Sequence, residues 1–457
     1  MARSRWGAAL AGLVLGLPGA MGQAPAPEVV TPAVEAPVII PPEAAAVADP
    51  LLDNTGDLRH RLHLTGDWWG ARTRLEDRGL TFNFFATQFF QGIASGGKEQ
   101  LGTFGGKLDY IADVDGEKLG LWKGFYFNFH AETRYGLSIN AHDGLLTPTN
   151  IPLSFPAENG TVTAITRLKF TQALSENFVV FAGKINTLDE YAFQYSGGQK
   201  GNRPGLEGFM NTSLVFNPIV ARTVPYSALG VGGAIVSGEE PIVSLSVFDP
   251  RERVNDDLSD PYADGVTIVP EVTLKTKLRG LPLMLNFGGT WSNAEYRSFD
   301  PAAYLNVDFL KTLQEKDPDT PQMKGSWSLY ANFFQSLWVD PNDEKRAWGL
   351  FGQFGLSDGN PNPIRYIANG GVGGRSMIPG RIYDTFGAGY FYVGLSNNFK
   401  TLAAPYSPQR DEYGVELFYN YAVTPWARFT SDLQVVRPSS VNYNTAIIPG
   451  IRLQVLF

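Results

Sequence analysis

The chain has 457 residues and a formal net charge of −8, with 13% aromatic and 18% charged residues, 50 Gly, 31 Pro and no Cys. Without Cys there is no disulfide-stapled domain, thiolate zinc site, iron–sulfur cluster or Cys nucleophile. Both signs of charge are spread along the chain, which argues against a nucleic-acid partner, and a length that usually makes two or three domains also suits one large closed barrel.

Arg3 and Arg5 precede the apolar run Trp6–Leu17 and the small-residue stretch Pro18–Gly22. This is the pattern of a secretory signal over residues 1–22, and the run falls short of the ~20 residues that span a bilayer as a helix. Residues 23–64 read as a periplasmic leader or linker, because seven prolines between 23 and 50 prevent packing. Beyond the signal, no window approaches ~18 apolar residues, which excludes membrane-spanning helices but not a membrane β-barrel.

Thr65–Gly79 predicts one short periplasmic helix, with Asp67 as N-cap, Gly79 as its stop, and Trp68, Arg72 and Leu75 on one face. From residue 80 the hydrophobic period becomes 2. In Phe125–Tyr135, Phe125, Phe127, Phe129 and Ala131 alternate with Tyr126, Asn128, His130, Glu132 and Arg134. Ala427–Val436 and Ile451–Phe457 alternate likewise. Sixteen strands are expected at 80–92, 104–114, 123–136, 163–174, 177–187, 228–237, 242–249, 266–278, 282–294, 326–338, 346–357, 364–375, 385–396, 411–422, 426–436 and 447–457. Those at 228–237 and 364–375 are Gly-rich and alternate least.

A one-sided soluble sheet would alternate too, so the connections decide. Links after even-numbered strands are mostly tight, whereas 137–162, 188–227, 250–265 and 295–325 follow odd-numbered ones. Short turns at one rim and long loops at the other predict an all-β, 16-stranded antiparallel transmembrane β-barrel over 80–457, its termini at the short-turn, periplasmic end. Sixteen strands leave an aqueous bore. The charged residues assigned to the inner wall are Glu132, Arg134, Arg167, Lys169, Lys184, Glu271, Lys275, Lys277, Glu416, Arg428, Asp432 and Arg452. Glu132, Arg134, Lys184, Glu416, Arg428 and Arg452 are the candidate channel-lining and solute-contacting residues, since guanidinium beside carboxylate presents a fixed hydrogen-bond ladder to hydroxyls. Trp291, Trp327, Trp338, Trp348 and Trp426 lie near strand ends, as headgroup girdles do. Loop 188–227, with Tyr191, Phe193 and Tyr195, folds inward to narrow the bore or lies outside as a lid.

Two other classes compete. An outer-membrane barrel enzyme of lipase or protease type would use His130 with Glu132 on its face, and a soluble secreted β-rich carbohydrate-binding protein would need no membrane. The sequence shows no metal-ligand cluster and no nucleotide or phosphate loop, so no cofactor is expected.

Gly66-Asp67-Trp68-Trp69-Gly70-Ala71-Arg72-Thr73-Arg74-Leu75, then Gly79-Leu80, resembles the opening motif of the carbohydrate-selective outer-membrane porins of OprB type. Ile378-Pro379-Gly380-Arg381, Asp384-Thr385-Phe386-Gly387, the run Glu412–Trp426 and the stretches Asp432–Gln434 and Ile451–Phe457 extend the similarity over residues 64–457. The resemblance implies a 16-stranded barrel with inward loops and a charged eyelet passing small sugars, lodged among outer-membrane lipids. It implies that Phe457 serves the barrel-assembly machinery and that Glu416 and Arg452 face inward. The leader at 23–50 stands outside the common pattern, loop 188–227 does not map onto it, and a homo-oligomer is compatible with it.

Overall fold

A computed structural model describes residues 54–156, 160–192, 206–238, 240–254, 258–305, 307 and 320–457. The signal at 1–22, most of the leader, and Phe193 and Tyr195 lie outside them.

Sixteen long strands form the wall: β1 (Leu80–Gly92), β2 (Gly102–Asp115), β3 (Phe125–Gly136), β4 (Val162–Ser175), β5 (Phe178–Asn186), β6 (Ser227–Ser237), β7 (Glu240–Phe248) and β8 (Thr267–Leu278). The second half is β9 (Leu281–Arg297), β10 (Gln322–Asp340), β11 (Asp343–Ser357), β12 (Ile364–Arg375), β13 (Thr385–Leu395), β14 (Glu412–Thr424), β15 (Ala427–Arg437) and β16 (Asn444–Leu456). Each pairs antiparallel with its chain neighbours, and β1 closes the ring on β16, from Phe85↔Leu456 to Gln91↔Gly450. A three-residue strand, Ser95–Gly97, prolongs that seam along β16. Hydrocarbon leaves an open edge no hydrogen-bonding partner, so closure is what lets such a sheet sit in a membrane.

Alternation sorts the two faces. On β1, Phe89 is 1% exposed and its neighbour Phe90 57%. On β3, Tyr126, Asn128, His130 and Glu132 are buried toward the lumen. Leu329, Phe333 and Leu337 of β10 stand outward and exposed. Trp291 pairs with Trp327, and Trp338 with Trp348 at the β10–β11 turn. Eleven residues of β10 separate Trp327 from Trp338, roughly 36 Å of strand, or about 28 Å of height at a tilt near 40°. Two aromatic levels so spaced match an apolar band of ~25–30 Å.

The helix is shorter than the 65–79 expected. Trp68, Trp69 and Gly70 have φ of 50°, 56° and 82°, so α1 begins only at Ala71 and ends at Asp77. Asp67 still serves its start, accepting from Thr73 N at 2.8 Å and Thr73 Oγ1 at 2.7 Å. The buried guanidinium of Arg72 lies 4.2 Å from the Trp68 ring centre and donates to the carbonyls of Gly66 (3.2 Å), Phe82 (3.0 Å) and Phe457 (2.9 Å). One side chain thus ties the N-terminal segment to both strands of the seam, at the short-turn end where both barrel termini emerge.

Candidate functional site

The described parts of the long loop after β5, residues 187–192 and 206–226, lie inside the barrel. The loop begins as α2 (Thr187–Tyr191), where the Asn186 side chain accepts from Asp189 N at 3.1 Å. Tyr191 then reaches strands well around the ring: its hydroxyl accepts from Gln353 Nε2 at 2.8 Å and donates to Asn332 Oδ1 at 3.4 Å. Farther on, Glu416 of β14 accepts from Met210 N (2.6 Å) and Asn211 N (3.0 Å), and Asn211 Nδ2 donates to Gln434 Oε1 at 3.1 Å. The returning chain bonds β9 through Thr223 Oγ1 to Thr290 Oγ1 at 2.8 Å, and β3 through the Tyr226 hydroxyl to Glu132. Phe209, Leu214 and Ile219 pack against the wall residues Met284, Phe334, Phe351, Phe391 and Phe418. Glycines of β13 make room for them: a Cβ at Gly389 would meet Leu214 Cδ2 at 2.8 Å, and one at Gly387 would collide with Phe209 and Phe418.

A second loop, after β3, is held the same way. Glu412 accepts from Leu146 N (2.8 Å), Thr147 N (3.0 Å) and the Thr147 hydroxyl. Asp143 accepts from Leu145 N at 2.9 Å and from Thr149. Burial nonetheless pushes the Asp143 carboxyl up to about 7, with the charge of Glu412 adding to the effect. These carboxyl groups supply acceptors to loop amides that would otherwise be buried without one.

Two charged clusters face the lumen. In the first, Asp109, His130, Glu132 and Asp189 surround Lys107 and Arg167. His130 Nδ1 lies 2.7 Å from Asp189 Oδ2, and Nε2 lies 3.1 Å from Asp109 Oδ1. Lys107 Nζ contacts Glu132 and lies 3.2 Å from Asp109, and Arg167 Nη2 is 3.5 Å from Asp189. Asp109, His130 and Glu132 bring three potential metal-ligand atoms within 4.8 Å of one another, a grouping that spacing along the chain does not reveal. The Lys107 ammonium already supplies positive charge between the two carboxylates, so the geometry is that of an ion-pair network. Both His130 nitrogens are engaged by carboxylates, which leaves neither to activate a serine.

In the second cluster Arg428 Nη1 lies 3.3 Å from Glu207 of the inward loop, within the electrostatic reach of Arg375 and Arg452. Arg452 donates to Thr430 Oγ1 (3.2 Å) and Asn420 Oδ1 (3.1 Å).

Five of the six candidate residues therefore turn inward, in two roles. Arg428 and Arg452 present guanidinium to the lumen, while Glu416 is spent on two loop amides and Glu132 on Lys107 and Tyr226. Arg134 donates to Leu153 O at 3.2 Å and supports the second loop. Lys184 falls one residue out of phase with Val179, Phe181 and Ile185, which line the cavity; its side chain is buried and its Nζ donates to Val254 O at 3.3 Å. Of the wider set, Lys169 pairs with Glu190 at 2.8 Å, Glu271 accepts from the Tyr330 hydroxyl at 2.8 Å, and Lys275 pairs with Glu240. Arg167 and Asp432 are buried toward the lumen, and Lys277 shares the phase of Lys275.

Between the inward loop and the wall of β5–β8 lies a cavity of about 230 Å³, lined by Val179, Phe181, Ile185, Val236, Phe248 and Val269. The sequence reading missed it. The available signal was that β5 (FVVFAGKIN) is apolar in both phases, unlike β3 or β15.

The family model of carbohydrate-selective porins, OprB family, matches residues 100–457. Among solved structures, the high-pH structure of Pseudomonas putida OprB superposes with a TM-score of 0.72 at 19% identity, covering 87% of this chain and 98% of that one. The low-pH structure of the same protein gives 0.53 at 18% identity, covering 87% and 99%. Among curated proteins, none matches the chain by sequence.

Proposed function

The chain belongs to the OprB family of carbohydrate-selective porins, and from that premise we propose that it is a passive channel of the outer membrane through which small neutral sugars diffuse down their gradient. The observation that carries this reading is the inward loop held across the bore with Glu207 against Arg428 beside Arg375 and Arg452. A planar guanidinium next to a carboxylate offers donors and acceptors in fixed geometry, suited to a ring of hydroxyls without demanding net charge. Transit also requires release, so each contact is weak. On this reading residues 1–22 direct export, the 23–64 leader lies in the periplasm with α1, Phe457 addresses the assembly machinery, and the lipid-facing aromatics set the barrel's height in the bilayer.

Liposome swelling tests the proposal. Vesicles containing the purified chain should take up glucose faster than protein-free vesicles, and Arg428→Ala with Arg452→Ala should change the ranking of sugars more than the ionic conductance. Glucose uptake no faster than in protein-free vesicles rejects it.

A further inference from the structure

The apolar cavity beside β5–β8 is out of character for a wall that meets water. A lumen-facing strand position needs only a Thr or Ser to be wetted, as at Thr267, Thr273 and Thr290 on β8 and β9. Yet Val179, Phe181, Ile185, Val236, Phe248 and Val269 come from four neighbouring strands and meet in one place. Elsewhere in the bore hydrocarbon is covered by Phe209, Leu214 and Ile219 of the loop. Here Val220 and Val224 of the loop reach the same wall, and between them and the strands a cavity of about 230 Å³ is left. A dry hydrocarbon-lined cavity of ~150 Å³ suffices to bind benzene. Polar groups also border the cavity: the Lys169–Glu190 pair, Thr187, Ser244 and Ser246. The Lys169 ammonium lies 4.8 Å from the Phe181 ring centre, so the cavity sets hydrogen-bonding groups directly beside its apolar lining.

We propose that this cavity binds the apolar aglycone of a glycoside, a monosaccharide carrying an aromatic or short alkyl group, and that such amphipathic sugars are preferred over free ones. Transfer of the aglycone out of water supplies the preference, while the sugar ring is directed to the Lys169–Glu190 edge. The inference rests on the sugar-channel reading above and names the solute class of that channel.

The test compares 4-nitrophenyl β-glucoside with glucose as blockers of ionic current through the full chain in planar bilayers, with vesicle uptake of both solutes in parallel. The aryl glucoside should half-block at a concentration about tenfold lower than glucose, equivalent to about 1.4 kcal/mol. Phe181→Thr should bring that ratio below threefold while glucose block stays unchanged. The nearly isosteric pair Val236→Thr with Val269→Thr, on separate strands, should do the same and covers the case in which Phe181→Thr fails to fold. Equal half-blocking concentrations for the two solutes in the native chain, or a preference that survives the Val→Thr pair, overturns the inference while leaving the channel intact. If neither solute crosses faster than in protein-free vesicles, the channel reading itself fails and takes the inference with it.

Discussion

Around β2–β4 and β14–β16 many inward side chains are acids and bases largely matched within the protein; on β5 and β6 they are mainly hydrocarbon, joined by Phe248 of β7 and Val269 of β8 at one cavity. On the charged side, Glu412 and Glu416 hold loop amides, Lys107 bridges Asp109 and Glu132, and Arg428 meets Glu207. The contrast teaches that charge inside a wide barrel is not synonymous with solute contact. Much of it pins the loops that shape the bore, while part of the greasy surface of β5 and β6 faces a cavity.

The largest expected effect comes from breaking the charged side. Lys107→Met would strand Asp109 and Glu132 beside each other, and removing one partner of a buried pair costs about 3–5 kcal/mol. The heat-modified gel shift of the folded barrel should occur at a markedly lower temperature, and an unchanged midpoint would mean these charges are merely solvated. Glu416→Ala comes next. It leaves the Met210 and Asn211 amides without their acceptor, a loss of about 2–4 kcal/mol, so single-channel conductance should rise and fluctuate as the loop detaches. Steady native conductance would show that apolar packing alone seats the loop.

A pH titration sharpens the same side. Asp143 sits at about 7 in the fold against an ordinary 3.8, so the folded state prefers it protonated. Its contribution is complete below the ordinary value and is lost as pH rises through about 7. Protease protection of the loop after β3 should decline over that window, and Asp143→Asn should abolish the decline. Smallest is Ile185→Val on the apolar side, a one-methylene change worth about 0.5–1.5 kcal/mol, with conductance unaltered. A conductance change there would show that the hydrocarbon wall, too, positions the loop.

The wall was legible because lipid outside and water inside impose a strict period of 2, and sixteen strands were readable from it. Even β12 was located at 364–375, although its glycines blurred the alternation. At Gly371 of β12, and at Gly387 and Gly389 of β13, a Cβ would come within 3 Å of a neighbouring strand's backbone or a side chain, a reason invisible along the chain. The helix start was misplaced because Asp67 looks like an N-cap, while the positive φ at Trp68 and Trp69 defers the helix to Ala71. Among the candidate residues, strand phase is readable along the chain and the bonding partner is not. Nothing in the spacing of Glu416 announces that Met210 and Asn211, more than 200 positions away, would claim both of its oxygens. β5 is apolar in both phases, so alternation does not announce that the Lys184 ammonium meets Val254 O.

Arg72 grips the carbonyl of a residue 385 positions downstream. The hook is therefore synthesised early and waits for nearly the whole polypeptide before its latch exists. Bringing such distant residues together carries an entropic penalty on the order of 5 kcal/mol, offset in the closed ring by the pairing of β1 with β16. Without that carbonyl the guanidinium would keep its bonds to Gly66 and Phe82 and lose its hold on the strand opposite, so the seam would be fastened from one side only.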